Sequence, residues 1–229
     1  MKEKMSKKEF ILFALMSICS GLMIGIGGTA SLVAQSSLPE NGKLVGSLLF
    51  SLGIFTILTF EMRLFTGMVA DIPKMGWKNM WKLPVCFIGN IFGLAFVALL
   101  VYFTPISSAI VAQSKIISEV KLGADNWALS AFCSSILCGV LITLSVWSIT
   151  HVPKKGLNAT LGVIFPIVVF AFCGFDHSVA NVLYFYFSGA FTWQIVGYEL
   201  VCIVGNVIGG IILPLVVMFK EHATAGKHN

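Results

Sequence analysis

The sequence predicts an all-α membrane protein with six transmembrane helices, and its composition and the spacing of its charges support this prediction. Of the 229 residues, 57% are hydrophobic and only 11% are charged, whereas about a quarter of the residues in a soluble domain are charged. A chain with so few charges cannot cover a water-facing surface, so its natural solvent is lipid. The charges lie between six apolar blocks, and a membrane-spanning helix needs roughly 20 apolar residues.

The apolar blocks divide the chain into three regions. Residues 1–9 form a short N-terminal segment, residues 10–219 a transmembrane domain, and residues 220–229 a short tail. The first apolar run is too long for the core of a cleaved signal peptide, which is about 7–15 residues. Spans two and five are long enough only if they continue beyond polar interruptions at Glu61–Arg63 and Gly174–His177. The predicted spans are about Phe10–Ala34, a second starting near Leu44, Leu83–Phe103, Trp127–Thr150, a fifth starting near Leu157, and Thr192–Phe219.

The lysines predict how the chain is oriented in the membrane. They concentrate in the N-terminal segment, the second and fourth loops and the tail, whereas the other loops are neutral or balanced. The positive-inside rule therefore predicts a multi-pass protein of the cell membrane with both termini in the cytoplasm. Because these lysines lie in short runs between apolar blocks, the net charge of +5 does not indicate nucleic-acid binding. The orienting lysines are Lys2, Lys4, Lys7, Lys8, Lys74, Lys78, Lys82, Lys154, Lys155, Lys220 and Lys227.

The chain also contains an internal repeat. Val85–Gly93 in span three resembles Val201–Gly209 in span six, and both segments contain Gly-Asn-x-x-Gly. Corresponding positions are three spans apart, so the two halves, about 10–103 and 127–219, insert with opposite orientations. Inverted repeats of this kind place a solute site near the middle of the bilayer, between the halves.

Spans two and five hold matching positions in the two repeats, and both are interrupted. The predicted interruptions are Leu64–Gly67, which reads Leu-Phe-Thr-Gly, and the polar segment Gly174–Asn181. Interruptions in paired spans are the best sequence indication of a binding site. The exposed backbone must be satisfied by protein or by a water-filled cavity. The positive ends of the half-helices favour an anion there.

His177 is the most informative residue of the second interruption. Ionisable groups inside membranes are costly and usually functional, and histidine changes charge near neutral pH. A pore histidine can donate a hydrogen bond to an anion or exchange a proton with it; the alternative is a structural histidine that holds the loop. Asp176 and Asn181 are expected to bond the loose backbone of the interruption.

These segments resemble the formate/nitrite transporter family, which includes formate, nitrite and hydrosulfide channels. The resemblance covers nearly the whole chain, and its most specific parts are Leu64–Gly67, Gly174–Asn181 and the two Gly-Asn-x-x-Gly segments. It implies an aquaporin-like fold with helices two and five broken. It also implies a homo-pentamer in the lipid bilayer with one pore in each protomer. The expected function is transport of small monovalent anions of weak acids, with proton coupling as a further possibility and no cofactor or metal.

The resemblance also assigns pore and substrate positions. His177 matches the central pore histidine, and Leu64, Phe65 and Thr66 match the loop of the broken second span. Apolar constrictions in such a pore exclude water and hydrated ions. The remaining matched positions are Phe50, Ile54, Ile142 and Phe170 at constrictions, Asn90 and Asn206 in the Gly-Asn segments, and Asn181 in the second interruption.

The chain departs from the family pattern at three positions. Arg63 stands where the family usually has an acidic residue; it either pairs with Glu61 or Asp176 or raises the local positive potential. Gly139 replaces an asparagine of formate channels, which removes a polar contact and puts formate selectivity in doubt. Lys121 lies near the position of the family's vestibule lysine and is taken as its substitute, with an ordinary loop lysine as the alternative.

Two other function classes were weighed. An enzyme is not expected, because the sequence contains no HExxH, GxSxG or phosphate-binding loop and no paired carboxylates. A channel for small neutral solutes, related to aquaporins, is the second alternative, although the chain lacks Asn-Pro-Ala motifs. The sequence leaves the physiological anion open, and also whether transport is channel-like or coupled to protons.

Overall fold

A computed structural model describes residues 5–151 and 156–225. The orienting lysines Lys2, Lys4, Lys154, Lys155 and Lys227 lie outside these residues. Within them the chain forms nine α-helices, together with 3-10 turns at Val69–Lys74 and Trp77–Asn79. The helices are α1 (Lys7–Ser37), α2 (Gly42–Thr59), α3 (Phe65–Met68), α4 (Lys82–Tyr102), α5 (Ser107–Leu122), α6 (Trp127–Thr150), α7 (Leu157–Cys173), α8 (Ser178–Ser188) and α9 (Trp193–Ala225).

The helices provide the six predicted membrane crossings. In the described part of the chain, α1, α2, α4, α6 and α9 are each long and apolar enough to cross a bilayer. The pair formed by α7 and α8 is bent by 47° and supplies the sixth crossing. Large apolar side chains cover the outer surface of the bundle, for example Leu52, Phe92, Phe165 and Val204. A surface of this kind is suited to lipid or to neighbouring membrane helices, not to water.

Both predicted interruptions are present. The first lies earlier in the chain than predicted, and the second begins at Gly174 as predicted but is shorter. The backbone leaves the helix at Phe60–Leu64 and at Gly174–His177, so Phe65–Gly67 and Ser178–Asn181 already belong to the half-helices α3 and α8. The polar residues Ser178 and Asn181 of the second segment belong to the first turn of α8 and not to a loop. Gly174 ends α7 with a φ of 79°, a left-handed conformation that only glycine adopts easily.

The packing follows the predicted inverted repeat. The pair α1 and α4 in the first half corresponds to α6 and α9 in the second, and both pairs pack extensively. A Cβ atom on Gly93 of α4 would overlap the carbonyl oxygen of Ile18 on α1. A Cβ atom on Gly209 of α9 would overlap the carbonyl oxygen of Ile136 on α6 in the same way. The last glycine of each Gly-Asn-x-x-Gly segment therefore permits the close helix crossing that small residues allow in lipid.

Helix α5 was not predicted, because the sequence analysis treated the segment between spans three and four as a loop. Its buried residues Ile110, Ser114 and Ser118 recur every four positions, which is the spacing of one helix face. This face packs against α8 and α1. The end of the bundle that carries α5 is called the α5 side below. The opposite end, where α1 begins and α9 ends, is called the terminal side.

Candidate functional site

Asn90 holds the backbone of the first break. Its Oδ1 accepts a hydrogen bond of 2.9 Å from the Phe65 N–H, the first amide of α3. Its Nδ2 donates to the carbonyl oxygens of Ser17 at 2.8 Å and Arg63 at 2.9 Å. The side chain is fully buried. Asn90 thus satisfies two backbone groups of the break, the Phe65 N–H and the Arg63 carbonyl, which would otherwise be costly in lipid, and ties them to α1.

Asn206 holds the second break with the same set of bonds. Its Oδ1 accepts from the Ser178 N–H at 2.9 Å, and its Nδ2 donates to the carbonyls of Ser135 and Asp176, both at 2.8 Å. Position by position, Arg63 in the first break therefore corresponds to Asp176 in the second. Both asparagines were assigned to the pore from the sequence. In the structure their amide groups are fully used by the backbone, which indicates that they support the breaks instead of contacting a solute.

The two half-helices meet through Thr66 and His177. Thr66 Oγ1 and His177 Nε2 lie 2.8 Å apart, and both side chains are buried. His177 is also the N-cap of α8, because its Nδ1 accepts a 3.0 Å hydrogen bond from the Ala180 N–H. An Nδ1 atom that accepts carries no proton, so the neutral ring carries its proton on Nε2 and donates it to Thr66. The Thr66 hydroxyl then keeps its own proton for a further acceptor.

A cavity of about 390 Å³ opens on the α5 side and reaches His177. Phe50 and Phe170 line it, and their rings meet edge to face with centroids 5.7 Å apart. The Phe170 ring stacks on His177, also with 5.7 Å between centroids. The cavity is therefore lined by aromatic rings near the imidazole. Other lining residues include Lys43, Lys121 and Asn181.

The remaining apolar candidates lie in the same core but do not line this cavity. Ile54 and Ile142 are completely buried, and Leu64 and Phe65 nearly so. All four belong to the main hydrophobic core together with Phe50 and Phe170. Leu64 directly precedes α3, as His177 directly precedes α8, so an apolar and a polar side chain occupy corresponding places in the two breaks.

Lys121 forms a buried ion pair with Asp176, with 2.5 Å between Nζ and Oδ1. The same carboxylate oxygen accepts from Tyr198 Oη at 2.8 Å and from Asn181 Nδ2 at 3.1 Å. The Asp176 N–H donates to Ser134 Oγ at 2.9 Å. Asp176 was expected to bond loose backbone, but its carboxylate instead connects the break to α5, α8 and α9. This network places the Lys121 ammonium group at the wall of the cavity.

The structure answers two questions raised by the departures from the family pattern. Asp176 is paired with Lys121, and Arg63 forms no ion pair with Glu61 or Asp176 in the described part of the chain. The expected structural pair of Arg63 is therefore wrong, because Lys121 reaches the carboxylate from the unpredicted helix α5. A Cβ atom on Gly139 would lie 2.5 Å from the carbonyl oxygen of Asn206. No side chain fits at this helix crossing, so an asparagine cannot replace Gly139 without a shift of the backbone.

Sequence reasoning missed three polar residues, of which Lys43 lines the cavity and Tyr198 and Glu199 lie on α9 outside its lining. Lys43 was treated as a loop charge, but its ammonium group lies at the cavity wall, 5.7 Å from the centroid of the Phe172 ring. Tyr198 binds Asp176, as described above. Glu199 has both carboxylate oxygens buried, and no described residue donates a hydrogen bond to them. A signal for Glu199 was present, since a carboxylate inside an apolar span is rare and usually functional.

Comparison with known proteins agrees with this geometry. Residues 1–220 match the sequence profile described as "Formate/nitrite transporter". A formate channel, FocA of Haemophilus influenzae, is 26% identical over 217 residues, which cover 86% of this chain and 75% of that protein. A nitrite transporter, NirC of Salmonella typhimurium, is 27% identical over 217 residues, covering 87% and 79%. A solved structure titled "Pentameric formate channel with formate bound" superposes with a TM-score of 0.79 at 23% identity, covering 96% of this chain and all of that one.

Proposed function

The chain belongs to the formate/nitrite transporter family, and from this membership we propose that it is a membrane channel or transporter for small monovalent anions of weak acids. Formate, nitrite and hydrosulfide are the candidate substrates. Membership in this family also makes the chain a transport protein and not an enzyme. The observation that supports the proposal most strongly is the contact between Thr66 and His177 at the closed end of a cavity bordered by lysines.

The first step is attraction of the anion into the cavity. Lys43 lies at the cavity wall, and Lys121 lies deeper in the same wall. A unit charge about 6 Å from an anion contributes on the order of 3 kcal/mol at the effective dielectric constant of a protein surface, about 20. Asp176 offsets much of the Lys121 charge, so Lys43 supplies most of the long-range attraction.

The second step is recognition between the half-helices. Thr66 Oγ1 accepts a hydrogen bond from His177 Nε2–H, and this bond does not use the Thr66 hydroxyl proton. Thr66 can therefore donate a hydrogen bond to an arriving anion. Rotation of the Thr66 hydroxyl also frees the Nε2–H for the same anion. The N-terminal end of α8 adds a partial positive charge at this point. Together these groups favour an anion with a hydrogen-bond-accepting atom.

The third step is passage through the apolar core. A bare anion that crosses the buried apolar core, to which Ile54, Ile142 and Leu64 belong, costs several kcal/mol or more. A weak acid avoids this cost if it is neutral while it crosses. For His177 to give up a proton and remain a neutral ring, it must first bind a second proton on Nδ1, which requires the bond from the Ala180 N–H to open. Proton coupling through His177 is therefore linked to movement of the first turn of α8.

The family resemblance and the apolar outer surface support a homo-pentamer in the cell membrane, with one pore in each protomer. The distribution of lysines supports cytoplasmic termini, which puts the cavity on the extracytoplasmic side. Crosslinking in native membranes tests the pentamer, and cysteine labelling from each side of the membrane tests the orientation.

The decisive experiment is an anion flux panel in proteoliposomes across a pH series. The wild-type protein is expected to carry small monoacids such as formate and nitrite, with rates that depend on pH. The variant His177→Phe is expected to change or abolish that pH dependence. Unchanged flux and pH response in this variant would defeat the proton role of His177. Osmotic swelling in water or glycerol without anion flux would instead favour a channel for neutral solutes.

A further inference from the structure

Glu199 lies in a part of the bundle that the anion pathway described above does not use. It belongs to the second turn of α9, whose side chains Ile195, Tyr198 and Cys202 form a small buried cluster. Gln194 in the first turn donates a 2.9 Å hydrogen bond to the carbonyl of Leu122. This bond holds the end of α5, which carries Lys121, against the beginning of α9. Glu199 and the Lys121–Asp176 pair therefore lie in the same region of the bundle, where the end of α5 meets the beginning of α9.

The carboxylate of Glu199 has no neutralising partner among the described residues. Both of its oxygens are buried, and neither accepts a hydrogen bond from residues 5–151 or 156–225. The charge of Lys121 favours an ionised Glu199, and the charge of Asp176 disfavours it. Lys121 already forms its ion pair with Asp176, whose oxygen also accepts from Tyr198 and Asn181. One ammonium group thus faces two carboxylates and neutralises one of them.

An ionised carboxylate that is buried without a partner is strongly unfavourable and normally takes up a proton. We propose that Glu199 is a proton-binding site, and that its proton sets the affinity of the neighbouring cavity for the anion. With Glu199 protonated, the group of Lys121, Asp176 and Glu199 is neutral. Loss of the proton leaves the group with one net negative charge and draws Lys121 from Asp176 and the cavity toward Glu199. The cavity then attracts anions less strongly.

The other titratable groups around this site do not supply the missing charge. Tyr198 and Cys202 lie on the same helix as Glu199, and both are close enough for its charge to affect them. Cys138 on α6 is buried and feels the charges of Lys121 and Asp176. Tyrosine and cysteine are neutral in their protonated forms, so neither can stabilise an ionised Glu199 as a counter-cation. The proton on Glu199 is consequently the group's means of reaching neutrality.

The proton site itself is testable without any transport measurement. Infrared spectroscopy of the purified full-length protein detects the C=O stretch of a protonated carboxylic acid, which a carboxylate does not show. The wild-type protein is expected to show this band at neutral pH, and Glu199→Gln is expected to remove it. Glu119→Gln changes an exposed glutamate of α5 and serves as the matched control that retains the band. If the wild type shows no band that disappears in Glu199→Gln, the proposal is overturned.

The effect on the anion rests on the proposed function and is tested by half-saturation concentrations in proteoliposomes. Glu199→Gln imitates the protonated acid permanently. At low pH it is expected to match the wild type. At high pH the wild type is expected to need several-fold more anion than Glu199→Gln, while Glu119→Gln follows the wild type throughout. Equal half-saturation of wild type and Glu199→Gln at every pH would overturn the effect on affinity. Absence of anion flux in the wild type would instead remove the proposed function, and the infrared test of the proton site would still stand.

Discussion

Asn90 and Asn206 make the same three hydrogen bonds in opposite halves of the molecule. Each accepts from the first amide of a half-helix and donates to two carbonyl oxygens, one in the break and one in the first helix of its own repeat. These bonds give partners to backbone groups of both breaks that would otherwise be unsatisfied inside the bilayer.

Replacing Asn206 with Leu leaves two buried backbone groups, the Ser178 N–H and the Asp176 carbonyl, without their hydrogen-bond partner. Each such group costs about 1–3 kcal/mol, and 1 kcal/mol corresponds to about 2–4 °C in Tm for a chain of this size. We expect Asn206→Leu to lower the Tm of the purified protein by about 4 °C or more. Asn158→Leu, at an exposed site in the first turn of α7, is the matched control with little expected change. An Asn206→Leu protein as stable as the control would contradict the bracing role.

Removing the hydroxyl of Thr66 is expected to slow anion uptake more than it weakens the fold. Thr66→Val deprives His177 Nε2–H of its acceptor and removes the donor offered to the anion. One net hydrogen bond contributes about 1 kcal/mol or slightly more, so we expect roughly a tenfold lower initial rate. Thr66→Ser keeps the hydroxyl and should retain most of the rate. Equal rates for the Val and Ser variants would show that the hydroxyl takes no part in conduction.

Gly139 is expected to tolerate no larger residue. A Cβ atom there meets the carbonyl oxygen of Asn206 at 2.5 Å and the amide nitrogen of Gly210 at 2.8 Å. Overpacking of this kind costs about 1–3 kcal/mol, so Gly139→Ala should lower the Tm measurably and Gly139→Asn more. Gly76→Ala is the control, because a Cβ atom on Gly76 has no atom within 4 Å. A fully stable Gly139→Asn variant would mean that α6 and α9 separate easily.

Lys121 and Asp176 are expected to depend on each other. Removing one partner of a buried ion pair costs about 3–5 kcal/mol, since the other charge stays buried. Lys121→Met should therefore lower stability strongly, whereas Lys121→Met with Asp176→Asn should recover most of it. The double variant is still expected to take up anions somewhat more slowly, because the cavity wall has lost the Lys121 ammonium group and keeps only that of Lys43. Stability that does not recover in the double variant would show that the pair is not the main interaction of Lys121.

Lys43 is expected to act through long-range attraction. Lys43→Gln should raise the half-saturation concentration of the anion about twofold to fivefold at low ionic strength, and the difference should shrink in salt as the charge is screened. Lys78→Gln, which removes an exposed lysine on the terminal side, provides the comparison for anions added on the α5 side. A salt-independent effect of Lys43→Gln would point to a direct contact instead.

Much of the fold could be predicted because lipid leaves few alternatives for a backbone. The predicted fourth span coincides with α6 at Trp127–Thr150, and both broken spans occur where polar residues interrupt apolar blocks. Helix α5 escaped prediction because its polar residues Gln113, Lys115 and Glu119 give it the composition of a loop. Its buried face was detectable only from the four-residue spacing of Ile110, Ser114 and Ser118.

The site was harder to predict than the fold. The contact between Thr66 and His177 joins residues 111 positions apart, and only the meeting of two half-helices creates it. Lys121 and Asp176 are 55 positions apart, and their pairing depends on where α5 packs. Arg63 lies much nearer in sequence to Glu61, yet the two form no ion pair among the described residues. Charge pairs across a membrane bundle therefore follow from helix placement and not from sequence distance.

Asn90 and Asn206 bind the two breaks through main-chain atoms, and this has a consequence for which side chains the breaks can carry. None of these hydrogen bonds involves the side chain at position 63 or 176, or at position 64 or 177. Two breaks with the same backbone bonds can thus carry different side chains. Leu64 corresponds to His177, and Arg63 corresponds to Asp176. The backbone of the two breaks is a common support on which side chains can be exchanged. The two ends of the pathway can therefore be tuned separately while this support stays intact.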